Sequence, residues 1–308
     1  MNRNEKLDYL AGFFDAEGCI GIEKQRNRYQ LYVTVGQRVP EVLYLYKALF
    51  GGNIRQRKQV KEKWHRLWVW RSPCGRNSQF VKLMSGRLKI KAPGLALAEK
   101  FIKTLKTTGG RNKINKTAED IARCMITEED TAEREKLHQE LKAHNKGKND
   151  ADDMPVGQLS AAYLAGLFDG DGAAMTAKIR NVRSYVPRAT ISSSFHALLY
   201  AIKEEFGGSV YPNSHPGWRA SHWQIANKSA IAFLEHIRKY LNVKKNVVER
   251  ILALRKLQVN GVMIAVHGMG GGRRFKESSV AGMDSIAAEI KLLNRKGPEY
   301  SINAAVLS

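Results

Sequence analysis

Ten residues near the start of the chain recur almost unchanged in its second half. Tyr9 to Gly18 reads YLAGFFDAEG, and Tyr163 to Gly172 reads YLAGLFDGDG, 154 positions later. A repeat of this kind in a chain of 308 residues implies one duplicated unit per half, and that length has room for two ordinary domains, each with its own core. Each copy is apolar up to its first acid. Leu10 and Phe14, like Leu164 and Phe168, stand four apart and share one face of a helix, which is expected to enter the core of its own half. Ala11 with Gly12, and Ala165 with Gly166, carry almost no side chain, so a second helix can approach closely. The natural second helix is the other copy. Gly18 and Gly172 are expected to end the helices in the left-handed conformation that glycine tolerates.

Immediately before those glycines stand Glu17 and Asp171. A helix C-terminus carries partial negative charge and favours a cation by roughly 0.3–1 kcal/mol, so both copies choose the unfavourable sign. Taken singly, each is read as a solvated helix-end acid. Taken as a pair packed about a pseudo-twofold axis, in a protein of formal net charge +22, they point to a shared divalent cation held by carboxylate, phosphate and water oxygens.

The two decapeptides resemble the signature helices of the LAGLIDADG homing endonucleases, in the single-chain form that carries two motifs. The resemblance implies an α+β protein: two pseudo-symmetric αββαββα domains with antiparallel saddle-shaped sheets, packed through the two motif helices. It assigns residues 1–105 and 158–258 to the domains, with a helical, charged linker at 106–157 and a basic tail at 259–308. It implies a site-specific double-strand DNA endonuclease that works as a monomer, with the last acid of each motif binding Mg²⁺ or Mn²⁺ at the interface. An RNA maturase assisting the splicing of a group I intron is the alternative within the same family. A DNA-binding regulator on a catalytically dead copy of the fold is a third reading.

The balance of charge agrees with a polyanionic partner. There are 51 Lys and Arg against 29 Asp and Glu, with a sequence pI near 9.9, and nucleic acid fits best. No stretch approaches the apolar length of a membrane span, and no leader opens the chain, so the partner is expected in solution inside the cell, in a chloroplast or mitochondrion if the gene is intron-borne. Cys19, Cys74 and Cys124 are odd in number and never form a C-x-x-C pair, which excludes a disulfide scaffold and fits a reducing compartment.

Beyond the first motif, CIGIEKQRNRYQLYVTVGQ alternates like a hairpin turning at Asn27 and Arg28. Ile20, Ile22, Leu31, Val33 and Val35 would face inward, and Glu23, Gln25, Gln30, Tyr32 and Thr34 outward. Such an outer face is either a solvated sheet surface or, given the resemblance, a base-reading ribbon in the major groove. Val39 to Phe50 has helical spacing with Val42, Leu45, Tyr46 and Leu49 on one side, and Gly51-Gly52 ends it. Two strands follow, in which Arg55 and Arg57 share a face suited to guanine, while Trp64, Trp68 and Trp70 pack the sheet. Helices are expected at Asn77 to Met84 and Leu95 to Leu105, with Pro93 as a breaker.

The second half repeats this order. Ala189 and Ile191 point inward, Arg188 and Thr190 outward, Gly207-Gly208 echoes Gly51-Gly52, Trp223 answers Trp68, and LNVKK at Leu241 answers LKIKA at Leu88. In AAMTAKIR the register is open: distance from the motif turns Met175 and Ala177 outward, whereas Thr176 and Lys178 are the polar members. Between the halves, Thr117 with Asp120 and Thr127 with Asp130 read as capping starts of two helices, with Leu137 and Leu141 four apart. Their expected role is to tether the halves and touch phosphate. The glycines of HGMGGGRRF lack phosphate-loop spacing and read as a basic loop.

The family resemblance surrounds each scissile phosphate with a basic residue and a water-ordering polar side chain. By position these are Lys91 and Gln37 in the first half, and Lys244 and Ser193 in the second, beside the metal ligands Glu17 and Asp171. Asp15 and Asp169 lie two positions earlier, on another side of the helix, and are assigned to structure. Glu against Asp, and Gln against Ser, imply unequal sites and an asymmetric target.

Overall fold

The duplication appears in space as two copies of one topology. A computed structural model of the chain describes residues 1–26, 28–57, 67–105, 127–146, 156–212, 220–265 and 273–294. The first half runs α1 (Arg3–Glu17), β1 (Gly18–Gln25), β2 (Arg28–Gln37), α2 (Glu41–Phe50), β3 (Asn53–Gln56), β4 (Trp68–Arg71), α3 (Asn77–Met84), α4 (Ala92–Lys103) and α5 (Glu128–Lys146). The second runs α6 (Ala161–Asp171), β5 (Gly172–Ile179), β6 (Ser184–Ser193), α7 (His196–Phe206), β7 (Ser209–Pro212), β8 (Ser221–Ala226), α8 (Asn227–Ile237) and α9 (Lys245–Asn260). It ends with a short hairpin, β9 (Met263–Ala265) and β10 (Arg273–Phe275), and α10 (Glu277–Asn294). Each half holds a four-stranded antiparallel sheet, ordered β1-β2-β4-β3 and β5-β6-β8-β7. The class is α+β, and among the described residues no helix is long and apolar enough to cross a membrane. Asn27, Trp64, the basic turn at 60–63, Thr117, Asp120, Cys124, Asp152, Asp153, Pro155 and the glycines at 268–272 lie outside the described residues.

Alternation sets the sheet faces as expected. Ile20, Ile22, Leu31, Val33, Val35, Ala189 and Ile191 are buried against the helices. The open register of β5 is settled by pairing: Met175 lies opposite Arg188 on the outer face, 39% exposed, while Lys178 turns to the helix side and meets Asp284 at 2.8 Å. Asp130 N–H donates to Thr127 Oγ1 at 3.1 Å and Thr127 N–H to Asp130 Oδ2 at 2.9 Å, the reciprocal cap expected for α5.

Four expectations need correction. Gly18 and Gly172 cap their helices in extended backbone, at φ −82° and −87°. Glycine is required there for space, because a Cβ would overlap the ring of Phe14 or Phe168. In α2 the buried face is Val42, Leu43, Tyr46 and Phe50, since Tyr46 and Phe50 pack on Trp70 and draw the helix round. Pro93 starts α4 instead of breaking it; near the N-terminus proline's missing N–H would have had no partner. Trp223 corresponds to Trp70, not Trp68: each indole N–H donates at 2.8 Å to the first glycine after a helix, Gly207 or Gly51. The β7–β8 connection is three residues shorter than β3–β4, which spacing alone does not show.

The helices within the expected linker and tail are themselves a repeat, at a spacing different from that of the motifs. Glu135, Leu137, Leu141 and Asn145 of α5 stand in α10 as Asp284, Ile286, Ile290 and Asn294, each 149 positions later. Lys24 Nζ meets Glu135 at 2.6 Å, and the Tyr29 hydroxyl donates to the same carboxylate; Lys178 and Tyr185 treat Asp284 likewise. Asn145 Nδ2 donates to Ile20 O at 3.0 Å, and Asn294 Nδ2 to Ala174 O at 2.8 Å. Each helix therefore clasps the first hairpin of its own half. Leu141 is 1% exposed, so Leu141→Ala is expected to cost about 2–5 kcal/mol in chemical denaturation, where a free tether would lose less than about 0.5 kcal/mol.

Candidate active site

The site begins with how closely α1 and α6 approach. A Cβ on Gly12 would lie 2.8 Å from the Tyr163 carbonyl carbon and 2.9 Å from Leu167 N, and one on Gly166 would lie 2.8 Å from Phe13 N and 2.9 Å from the Tyr9 carbonyl carbon. The two backbones meet directly, and only hydrogen fits between them. Two buried cross-links lock the arrangement. The Tyr9 hydroxyl donates to Asp169 Oδ2 at 2.8 Å and the Tyr163 hydroxyl to Asp15 Oδ2 at 2.7 Å, so each half's tyrosine holds the other half's first acid.

Those acids also anchor the loops that follow α3 and α8. Asp15 accepts from the backbone N–H groups of Lys89 at 2.6 Å and Lys91 at 2.9 Å; Asp169 accepts from Asn242, Val243 and Lys244 at 2.7, 3.0 and 2.8 Å. Satisfied in this way, they have the structural role assigned to them from sequence. The Lys91 and Lys244 ammonium groups are brought to the C-terminal ends of α1 and α6, where Lys91 Nζ donates to Phe14 O at 2.9 Å and Lys244 Nζ to Phe168 O at 2.9 Å.

At the same ends stand Glu17 and Asp171. A Cβ on Gly170 would overlap the Ala16 methyl and lie 3.3 Å from Glu17 Cγ, so the last turns touch. Burial raises the Glu17 carboxyl above its ordinary value; the Asp171 charge adds to the rise, and Lys244, Lys91 and Gln37 oppose it. Gln37 Nε2 donates to Glu17 Oε1 at 3.3 Å. Ser193 differs: its hydroxyl accepts from Phe195 N–H at 3.0 Å within the turn, and the residue is 8% exposed. The two halves are symmetric in backbone and unequal in this polar neighbour.

The pair fits a hydrated divalent cation. A partly buried Glu17 carboxylate and the exposed Asp171 carboxylate that repels it are stabilised by a 2+ charge between them. Among the described residues no group of three or more His, Cys, Asp or Glu is arranged to hold a metal ion by itself, so phosphate or water oxygens would complete the shell. Magnesium and manganese accept such a set, whereas a closed structural zinc site does not.

The outer sheet faces place the remaining candidates. Glu23, Gln30, Tyr32 and Thr34 share one face of the first sheet; Tyr32 lies across Gly21, and Glu23 meets Arg71 at 3.1 Å. Arg71 pairs with Thr34 and Asn53, so it belongs to that face, as does Arg55 opposite Val69. Gln25, Arg55 and Arg57 are exposed. The Gln30 amide turns aside onto the Cys74 thiol. In the second sheet Arg188 and Thr190 are joined by Ser192, His222, Gln224 and Tyr211, with Ser192 Oγ 2.7 Å from His222 Nδ1. Sequence reading missed Arg71 and these last four. Arg71 was readable from its alternation with the inward Trp70, and Ser192 from its alternation with Thr190; His222, Gln224 and Tyr211 required the register of β7 and β8.

No protein-family profile and no curated protein matches this sequence. Solved structures with the same fold do: the LAGLIDADG meganuclease I-AabMI bound to uncleaved DNA (TM-score 0.65, 15% identity, 92% of this chain and 98% of that one); and the LAGLIDADG homing endonuclease I-LtrWI bound to target DNA (TM-score 0.62, 15% identity, 93% and 98%). A third is I-SmaMI bound to an uncleaved DNA target in the presence of calcium ions (TM-score 0.56, 15% identity, 92% and 98%).

Proposed function

We propose that this chain, which has the fold of the two-motif LAGLIDADG endonucleases, is a monomeric, divalent-metal-dependent endonuclease that cuts both strands of a long asymmetric DNA site. The observation that carries the reading is the meeting of Glu17 and Asp171 at the contact of the two motif helices. The DNA complexes of its structural relatives, one with calcium, support it.

Glu17 and Asp171 would hold Mg²⁺ or Mn²⁺ against the scissile phosphates. When bound, such an ion polarises the phosphate and stabilises the attacking and leaving oxygens of an in-line displacement. Gln37 orients the Glu17 carboxylate and orders water beside it. The outer-face residues Glu23, Gln25, Gln30, Tyr32, Thr34, Arg55, Arg57, Arg188 and Thr190 would contact one half-site per sheet, with phosphate contacts fixing register and base contacts carrying sequence. The surplus of basic residues makes affinity fall steeply with salt, by a slope of about 0.9 in log K per phosphate contacted.

The test is selection of cleaved sites from a randomised duplex library with added Mg²⁺. A single long, asymmetric consensus cut on both strands is the expected result. Binding without cutting at any Mg²⁺ or Mn²⁺ concentration rejects the enzyme in favour of a DNA-binding regulator, and stimulation of intron splicing with no cutting favours the maturase.

A further inference from the structure

Neither motif helix has a basic residue in its last turn, although a helix end with orphan carbonyls favours a cation. Lys91 and Lys244 supply one from some seventy-five residues downstream. Lys244 Nζ donates to Phe168 O at 2.9 Å, Asp169 O at 2.8 Å and Gly170 O at 3.0 Å. An ammonium has three N–H donors and no acceptor, so all three are engaged by the helix. Lys91 Nζ donates to Phe14 O at 2.9 Å and to Asp15 O. Each lysine is fixed from behind as well, its backbone N–H held by the buried acid of the motif it caps.

We propose that Lys91 and Lys244 are positioning residues: they fasten the last turn of each motif helix and so set the separation of Glu17 and Asp171. They neither transfer a proton nor grip the scissile phosphate. The inference rests on reading that acid pair as the cation centre. It also explains how acids are tolerated where the helix field opposes them, since the lysine charge sits among the terminal carbonyls and offsets the field.

The first test uses the unaltered chain, free of DNA and metal. Reductive methylation followed by mass spectrometry should modify Lys103 and Lys239, whose side chains are 73% and 71% exposed, and spare Lys91 and Lys244. Methylation of Lys91 or Lys244 at the rate of Lys103 overturns the proposal. The second test uses Lys91→Met and Lys244→Met. Terbium titration of the free chain should weaken by about 10–100-fold, the usual effect of removing a group that orients a metal ligand. Cleavage should return toward the original rate at saturating Mg²⁺, with an unchanged pH–rate profile. Loss of cutting that no Mg²⁺ concentration restores, together with a missing limb of the pH profile, places the lysine at the reacting atoms and overturns it. If the chain cuts no DNA, the endonuclease reading fails, while methylation and terbium binding still decide this one. If a methionine variant does not fold, methylation of the unaltered chain decides alone.

Discussion

Glu17→Gln and Asp171→Asn are each expected to reduce cleavage by at least about a thousandfold, equivalent to about 4 kcal/mol of transition-state stabilisation lost with a metal ligand. DNA affinity measured with calcium should change far less, because the outer sheet faces carry binding. The same Glu17 substitution should raise the stability of the metal-free protein. Burial and Asp171 push the Glu17 carboxyl above its unfolded-state value. A group shifted in that direction contributes stability below its unfolded pKa and loses it as pH rises through the folded pKa. Where Glu17 is ionised it therefore costs stability, and glutamine removes the cost, so the variant should melt higher. The gain should shrink as pH falls and Glu17 protonates. It should reverse with Mg²⁺, which stabilises only the chain that binds it. Thermal denaturation at two pH values, with and without Mg²⁺, checks all three. If Glu17→Gln melts no higher than the unaltered chain without metal at neutral pH, the carboxylates are not in conflict and the site is misread.

Gly12→Ala or Gly166→Ala should be among the most damaging single-methyl additions in the molecule. The added carbon would fall within 3 Å of the facing helix backbone, which has no flexible atom to yield. The helices must separate and break the buried Tyr9–Asp169 and Tyr163–Asp15 bonds, at an expected cost of at least about 3 kcal/mol. By the usual 2–4 °C per kcal/mol for chains somewhat shorter than this one, the melting temperature falls by roughly ten degrees. Gly75→Ala, where an added carbon meets nothing within 4 Å, should stay within about 0.5 kcal/mol. Equal melting of the two variants would mean that the helices do not meet at these glycines.

Much of this architecture was legible before any coordinates. A ten-residue repeat with small residues at the third and fourth positions and an acid before the closing glycine already specifies two like domains, joined back to back, with two carboxylates at the seam. Alternation placed Ile20, Ile22, Val33 and Val35 inside because a strand's side chains have a period of two. The second repeat, α5 against α10, was equally present in the letters. It escaped because its offset of 149 differs from that of the motif and its identities are spread along one helix face.

Where side chains from distant segments converge, counting does not give their hydrogen-bond partners. Lys91 and Lys244 read as catalytic or surface cations by position, and their donors turn out to be directed at helix carbonyls about seventy-five residues back in the chain. Gln37 and Ser193 occupy matching strand positions, yet one reaches Glu17 and the other closes its own turn on Phe195. Local sequence dictates period, caps and close approach, since these depend on neighbours a few residues away. Partners for a hydrogen-bond donor are chosen by whatever the folded chain brings within 3 Å, and that choice belongs to the packing of the two halves.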